Sequence, residues 1–402
     1  MRGLAFKIGT ALFTFFIGIG LATAWVLQSR TDTINPIDTA TDTANQPASG
    51  GQVLEMVFVV DTTSSMTGLI DGAKQRIWGI VNDVMQSPAH PAVRIGLVGY
   101  RDRGDEYVTT VLPLTNDLDK VYSTLMNYRA VGGGDAPEDV RRALFDGVRR
   151  AGWSQGTSGL AQVLFLVGDA PPHNDYRDEP DTATTTAEAV RRGIVVNTIQ
   201  CGDMPGTSEA WQTIASLGQG QYFSIAQDGG VQAIATPYDT QLGELAAKLG
   251  TTYVAYGGGG GTAGEETRAR ASADIARVEA SVATSAPAPA KAERALNKAV
   301  NSEAYVGDLL QSIENGSVKL DSVKDEDLPA ELRKLSVEER RQEIEKRLAA
   351  RRDLRAQIVT LSKQRAEFIA AETKKRNGNK QSGFDIAVAA ALKEQLARKG
   401  IK

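Results

Sequence analysis

This 402-residue sequence predicts an α/β fold, with a doubly wound, mostly parallel sheet followed by an all-α C-terminal region. Three observations carry that prediction. Apolar, β-branched runs recur at 56–60, 93–99, 108–112, 162–167, 193–199 and 221–225. Amphipathic stretches alternate with them, the pattern of a parallel sheet covered by helices on both faces. After Tyr256 the strand signal stops, and the chain becomes rich in Ala, Glu, Lys and Arg.

In chain order, Arg2 and Lys7 precede an almost uncharged stretch from Ile8 to Leu27. That is roughly the 20 residues a membrane helix needs. Residues 1–30 therefore read as a signal peptide or a single-pass anchor. Ala22-Thr23-Ala24 offers a small-x-small cleavage site, whereas the apolar run continuing through Trp25, Val26 and Leu27 suits an uncleaved anchor. Both readings place the bulk of the chain outside the cytoplasm, in the cell envelope. It is then either held at the inner membrane or released to the periplasm. Residues 31–52, rich in Thr, Asp, Ala, Pro and Gly, read as a flexible spacer.

Residues 53–256 read as the sheet domain. Leu69, Ile70, Ala73, Ile77, Ile80, Val81 and Val84 repeat at helical spacing, as do Val140, Ala143, Leu144 and Val148. Further helices fit 117–129, 187–192, 208–217 and 231–249. The short spacing between the second and third strands allows a hairpin, so one edge strand is expected to be antiparallel. Residues 257–292, with the glycine run Gly257–Gly261 and Ala286-Pro287-Ala288-Pro289, read as linker. Residues 293–402 read as helical, with one long helix over 337–375 and an amphipathic one over 384–398. Leu354, Ile358, Leu361, Arg365 and Phe368 alternate in steps of four and three, a short coiled-coil heptad interrupted by a charge. So few heptads leave a helical hairpin or packing against the sheet domain equally open, with oligomerisation through these helices as a further alternative.

Composition narrows the function. Hydrophobic content of 42% and charged content of 23% are ordinary for a globular chain. The net charge of -4 is unevenly spread: residues 51–262 carry 15 basic and 24 acidic residues, residues 263–402 carry 27 and 22. An acidic sheet domain argues against nucleic acid as a partner. The single cysteine, Cys201, excludes an intrachain disulfide and a cysteine-rich zinc site, and its place after an apolar run suits a buried core position. His90 and His173 each neighbour proline in loops with no partner at ligand spacing and read as surface positions. No general base lies near Ser64 or Ser65 in the sequence, and the glycine run lacks the Lys-Ser/Thr of a phosphate loop.

Three segments end at the carboxyl edge of the sheet, where open α/β folds place their ligands. Asp61-Thr62-Thr63-Ser64-Ser65 follows the first strand, Gly132-Gly133-Gly134-Asp135-Ala136-Pro137-Glu138 precedes a helix, and Val167-Gly168-Asp169-Ala170-Pro171-Pro172 follows the fourth strand. Each offers oxygen donors from a turn that glycine or proline tightens. In a doubly wound sheet the first and fourth strands are neighbours, so Asp61 and Asp169 face one crevice. Oxygen-only ligands suit a hard divalent cation. A helix N-cap cluster explains one hydroxyl there but not an acid on each of three loops.

These motifs, in this order, resemble the metal-ion-dependent adhesion site of the von Willebrand factor type A family. The resemblance spans about residues 53–256. It is nearest to bacterial members and to those attached to atypical alpha-type kinases, which share Val98-Gly99-Tyr100-Arg101-Asp102 and the Gly-Gly-Gly-Asp-x-Pro-Glu pattern. It implies a six-stranded Rossmann-like sheet, a bound Mg²⁺ or Mn²⁺ (Ca²⁺ as a further option), and an acidic group from a protein partner completing the metal shell. Carried over by motif, Asp61, Thr63 and Ser65 form the first metal loop, Asp135 stands where the second usually offers threonine, and Asp169 is the third-loop acid. Thr63 for the commoner serine keeps a hydroxyl. Asp135 either adds a third carboxylate, weakening the ion's pull on a partner's acid, or hydrogen-bonds the ion's waters. The expected function is an exported, membrane-tethered interaction module without catalysis. The alternatives are a structural envelope protein that oligomerises through its C-terminal helices and an enzyme component associated with a kinase or chelatase.

Overall fold

Six strands form one sheet in the order β3-β2-β1-β4-β5-β6. The computed structural model describes residues 52–85, 91–134, 136–156, 158–225, 234–301, 304–377 and 383–401. The expectations for residues 1–30 and for His90 and Asp135 lie outside them, as does all but the last residue of the spacer. No helix among the described residues is long and apolar enough to cross a membrane.

β1 (Val53–Asp61) is buried along its whole length because it has strands on both sides. It pairs in parallel with β2 (Ala92–Tyr100) and with β4 (Leu160–Gly168), so the strand order reverses beside it. β5 (Ile194–Cys201) and β6 (Gln219–Ile225) extend the sheet in parallel, whereas β3 (Thr109–Thr115) returns antiparallel to β2 as the other edge. Alternation along β1 divides the core, since successive side chains point to opposite faces. Leu54, Met56, Phe58 and Val60 pack under α1 (Ile70–Met85) and α2 (Leu118–Asn127). Val57 and Val59 pack under α3 (Val140–Arg149), α4 (Thr182–Arg191) and α5 (Thr207–Leu217). α4 begins five residues earlier than the apolar pattern suggests: Asp181 caps it, accepting from Thr184 N at 2.7 Å, and its threonine-rich first turn carries no apolar signal. Cys201 is buried in the α1-side core, as expected.

Residues 45–402 form one compact unit, so the helices beyond Tyr256 are not a separate body. α6 (Asp239–Gly250), α8 (Ala288–Val300) and α11 (Val337–Asn377) share a third core around Tyr305. α9 (Leu309–Glu314), the short α10 (Ala330–Arg333) and the start of α11 share a fourth. α12 (Gly383–Arg398) returns to the sheet, where Val388, Ala391, Leu392 and Leu396 join the α1-side core. There Gln395 and Asn197 exchange two buried amide hydrogen bonds, of 2.9 and 3.2 Å.

One expectation for this region is corrected. The stretch read as linker contains α7 (Gly261–Ser285), a 25-residue helix. Its Ala, Glu and Arg content favours helix, while the Gly and Pro that suggest a linker stand only at its ends. The glycine run is a fixed turn: Gly257, Gly258, Gly259 and Gly261 have φ between 72° and 87°. Asp327 accepts from Gly257 N and Gly259 N at 2.8 Å each, and Arg268 Nη1 donates to the carbonyls of Gly257, Gly259 and Glu326. The heptad of α11 is likewise spent within the chain. Leu354, Ile358 and Leu361 pack on α6 and α8, Arg365 Nε pairs with Asp239 Oδ1 at 2.7 Å, and Phe368 meets Tyr238 edge-on. The period of the apolar residues cannot say whether the partner helix belongs to the same chain.

Candidate metal centre

β1 and β4 are neighbours and end together, which brings their loops to one crevice. Asp61, the last residue of β1, has a fully buried side chain. Its Oδ1 accepts from Thr63 N at 2.9 Å and from Thr63 Oγ1 at 2.6 Å. Thr63 Oγ1 lies 3.0 Å from Ser65 Oγ, which donates to Asp169 Oδ1 at 2.9 Å. Four of the five expected residues (Asp61, Thr63, Ser65 and Asp169) thus form one chain of oxygens, with Ser65 exposed at its mouth.

The second loop is fastened over the first. Val131 N donates to Thr62 O and Ser64 N to Gly132 O, and Ser64 Oγ makes a short hydrogen bond to the same carbonyl. Gly132 and Gly133 have φ of 79° and 73°, a region that suits glycine. A Cβ at Gly132 would stand 2.5 Å from the Asp105 carboxylate, and one at Gly133 2.8 Å from Thr63 Cβ. Asp105 Oδ2 in turn accepts from Gly133 N at 2.7 Å.

The electrostatics are those of unbalanced negative charge. Burial, and then the charge of Asp169, pushes the Asp61 carboxyl up to about 7. Burial raises Asp169 too. Glu138, 2% exposed, is pushed up to about 9 by burial, then by Asp61 and Asp102. Asp61 Oδ2 and Glu138 Oε2 are both buried without a hydrogen-bond partner. Unpaired buried polar atoms are costly, and those of native proteins usually have a partner or an ion. Among the described residues no three acidic, histidine or cysteine side chains converge closely enough to hold a metal by themselves. The donor set that does converge is two carboxylates and two hydroxyls, all oxygen, which fits a hard divalent cation that keeps part of its water shell.

Residues 55–237 match the family model described as von Willebrand factor A domain. Together with the strand order and the loop geometry, that match decides the family of this segment. Residues 55–237 form a von Willebrand factor A domain. Curated relatives include von Willebrand factor A domain-containing protein 7 of Mus musculus, 29% identical over 193 residues, or 48% of this chain and 20% of that protein. The Rattus norvegicus counterpart is 40% identical over 87 residues, 22% of this chain and 9% of the relative. The chain therefore spans a fifth or less of the length of these proteins. Similar solved structures include the VWA domain of SpRpn10, 14% identical with a TM-score of 0.34, covering 46% of this chain and 100% of that one. BatB from Bacteroides thetaiotaomicron is 17% identical with a TM-score of 0.34, covering 44% and 92%.

Several residues around the centre of the A domain escape a reading by motif. Tyr100 is the strand partner of Asp61, and its buried hydroxyl has no partner in hydrogen-bonding geometry. It stands close over Gly168, where a Cβ would lie 2.2 Å from Tyr100 Oη and 3.1 Å from Asp61 Oδ2. Parallel register from β1 to β2 is the signal that could have found it. His173 is not a surface residue: it is 8% exposed, stacks on Tyr176, bonds Asp175 Oδ1 through Nδ1 at 2.9 Å, and holds Nε2 3.7 Å from Asp102 Oδ2. Tyr176 donates to the buried Asp102 carboxylate, and Arg103 stacks over Tyr176 while pairing with Asp139, Asp178 and Glu179. Arg101 and Asp102, adjacent in sequence, thus serve separate partners, with Arg101 stacking over Tyr107 and reaching Glu106. These contacts lock the loop after β4 onto the loop after β2.

Proposed function

We propose that the A domain binds a divalent cation, Mg²⁺ first and Mn²⁺ or Ca²⁺ as alternatives, through Asp61, Thr63, Ser65 and Asp169. By motif position the glycine loop adds Asp135, which stands where the family usually offers threonine. The ion then holds a protein partner through an acidic side chain at the mouth marked by Ser65. The observation that carries this reading is the buried, unpartnered Asp61 Oδ2 in a site whose acids repel one another. A cation removes both penalties at once. The module binds rather than catalyses, and residues 1–30 tether it to the inner membrane or export it to the periplasm.

Calorimetric titration of the intact chain with Mg²⁺ and Mn²⁺, with Asp61→Ala as control, tests the metal. Saturable binding that Asp61→Ala abolishes supports the reading, and no heat from either ion at millimolar levels refutes it. For the partner, capture from membrane extracts in Mg²⁺ and in EDTA is compared with Asp61→Ala. A partner retained equally in all three removes the metal from recognition. Extraction of membranes at high pH tests the tether: release of the whole population into the soluble fraction excludes a spanning anchor.

A further inference from the structure

Opposite the metal centre, the amino edge of the sheet gathers charge of the other sign. α3 and α4 both end there and bring Arg149, Arg150, Arg191 and Arg192 together. Arg192 Nη1 donates to Val148 O at 3.0 Å, and Glu188 pairs with Arg149 at 2.7 Å and with Arg192 at 3.1 Å. α12 delivers two more cations to the same edge. Arg398 Nη1 donates to Gln219 O at 3.4 Å, where β6 begins. Lys399 Nζ lies 3.6 Å from the point a Cβ on Gly193 would occupy, just before β5. A cation in the last turn of a helix opposes the helix dipole, which explains each one locally. It does not explain the sum. Four of the 15 basic residues of the acidic stretch 51–262 stand on this one edge, while α1 and α5 end without a basic residue.

The acids at this edge do not balance the cations. Glu188, Asp146 and Glu394 offset Arg149, Arg192, Arg150 and Arg398. Arg191 and Lys399 form no ion pair among the described residues. Leu217, the last residue of α5 and two positions before Gln219, is 47% exposed. An apolar side chain among cations suits the boundary where lipid headgroups meet hydrocarbon. The chain also enters the A domain here: Val53 N donates to Gly159 O at 2.8 Å, and Gln52 Nε2 to Gly400 O at 3.1 Å. We infer that the amino edge docks on a membrane surface bearing anionic lipid headgroups, through Arg150, Arg191, Arg192, Arg398 and Lys399, with Leu217 at the interface. This rests on the tether of residues 1–30 to bring that edge to the bilayer. Each Lys or Arg near an anionic surface strengthens binding about fivefold. The metal centre, at the opposite edge, then faces away from the membrane and stays open to a partner.

The test places the full chain in nanodiscs of phosphatidylcholine alone, or of phosphatidylcholine mixed with phosphatidylglycerol. Acylation of Lys399 by a water-soluble amine reagent is followed, with Lys346 of α11, its side chain 80% exposed, as internal reference. The expected result is acylation of Lys399 at least about threefold slower in the anionic discs at low salt. The difference should vanish in about 1 M NaCl, where the Debye length is about 3 Å. Arg191→Glu has no ion pair to lose, so it should unfold at the same urea concentration as the unmodified chain. It should nonetheless remove most of the protection, because it changes the charge by two, worth about fivefold each. Equal acylation in both discs at low salt overturns the inference, as does protection that survives in Arg191→Glu. Protection by soluble polyglutamate but not by anionic discs assigns the face to an acidic protein and overturns it too. A chain that leaves the discs in high salt refutes the tether alone, since protection of Lys399 by anionic discs at low salt still supports the docking face.

Discussion

Gly168 closes β4 against the centre, and replacing it with alanine probes how tightly Asp61 is held. The added Cβ would sit 2.2 Å from Tyr100 Oη, 3.1 Å from Asp61 Oδ2 and 3.2 Å from Asp61 Cβ. Tyr100 and Asp61 are both fully buried, so neither can swing into solvent. Forcing one methyl into so packed a site costs about 1–3 kcal/mol. The shortest contact is to the Tyr100 hydroxyl, so Tyr100→Phe removes the atom that the added methyl would meet first. In the double variant only the contacts to Asp61 remain, and those yield to shifts of a few tenths of an ångström. A double-mutant cycle by urea unfolding in EDTA should therefore show Tyr100→Phe recovering at least about 1 kcal/mol of the Gly168→Ala loss, within the coupling expected of touching residues. Gly168→Ala within about 0.5 kcal/mol of the unmodified protein, the range of a surface substitution, would refute the argument. So would a loss to which Tyr100→Phe makes no difference.

Three further outcomes follow from other parts of the structure. Arg351 and Asp308 form a fully buried pair supported by Thr252, so Arg351→Ala should cost about 3–5 kcal/mol in urea unfolding, against little for the exposed pair Arg277–Asp274. In EDTA, stability should fall with pH through Asp61: its folded value of about 7 lies above the ordinary aspartate value of 3.8, so its contribution is complete below about pH 4 and lost as pH rises through 7. Unfolding free energy of the unmodified protein relative to Asp61→Asn should drop by up to about 1.4 kcal/mol per pH unit across that window, and a flat or rising difference contradicts the assignment. Burial raises the Cys201 thiol, with Asp169 and Asp61 adding to the effect. Its reaction with a thiol reagent at pH 8 should therefore be slow and follow unfolding, and rapid modification of the native protein would show the core open there.

Much of the sheet is legible in the chain because its determinants are local. Each of the four inner strands of the A domain is a short, largely apolar run, and the reversal of strand order beside β1 follows from the doubly wound pattern itself. That Asp61, Thr63, Ser65 and Asp169 come together is legible for the same reason: each lies at or just after the end of a buried strand. The choice among the acids of the glycine loop was not local. Glu138 is buried because Pro171 and His173, more than 30 positions along the chain, clasp its backbone, while Asp139 is taken by the local helix cap. His173 misleads for a similar reason. Flanking proline suggests an exposed turn, yet the hydrophobic face of its ring is covered by Tyr176, and its polar side is turned to Asp102 and Asp175.

The α-helical region bears on function through what it leaves available. An oligomer seam on α11 would need Leu354, Ile358, Leu361 and Phe368 free, with Arg365 pointing to a second chain. In the structure the first three pack on α6 and α8, Phe368 meets Tyr238, and Arg365 bridges Asp239 on α6 and Glu293 on α8. Opening that seam would strand Asp239, which is 2% exposed and would lose its arginine. Breaking buried pairs of this kind costs several kcal/mol before any new contact is made. Burial inside the chain thus weakens the case for a scaffold assembled through this heptad. Along the same chain, Ser64 and Ser65 stand exposed at the carboxyl edge of the sheet, beside the buried acids Asp61 and Glu138, each with one unpartnered oxygen. Unsatisfied charge lies where the surface is open, and satisfied apolar contact lies along the long helix. That distribution favours recognition at the sheet edge, with the helices buttressing the A domain.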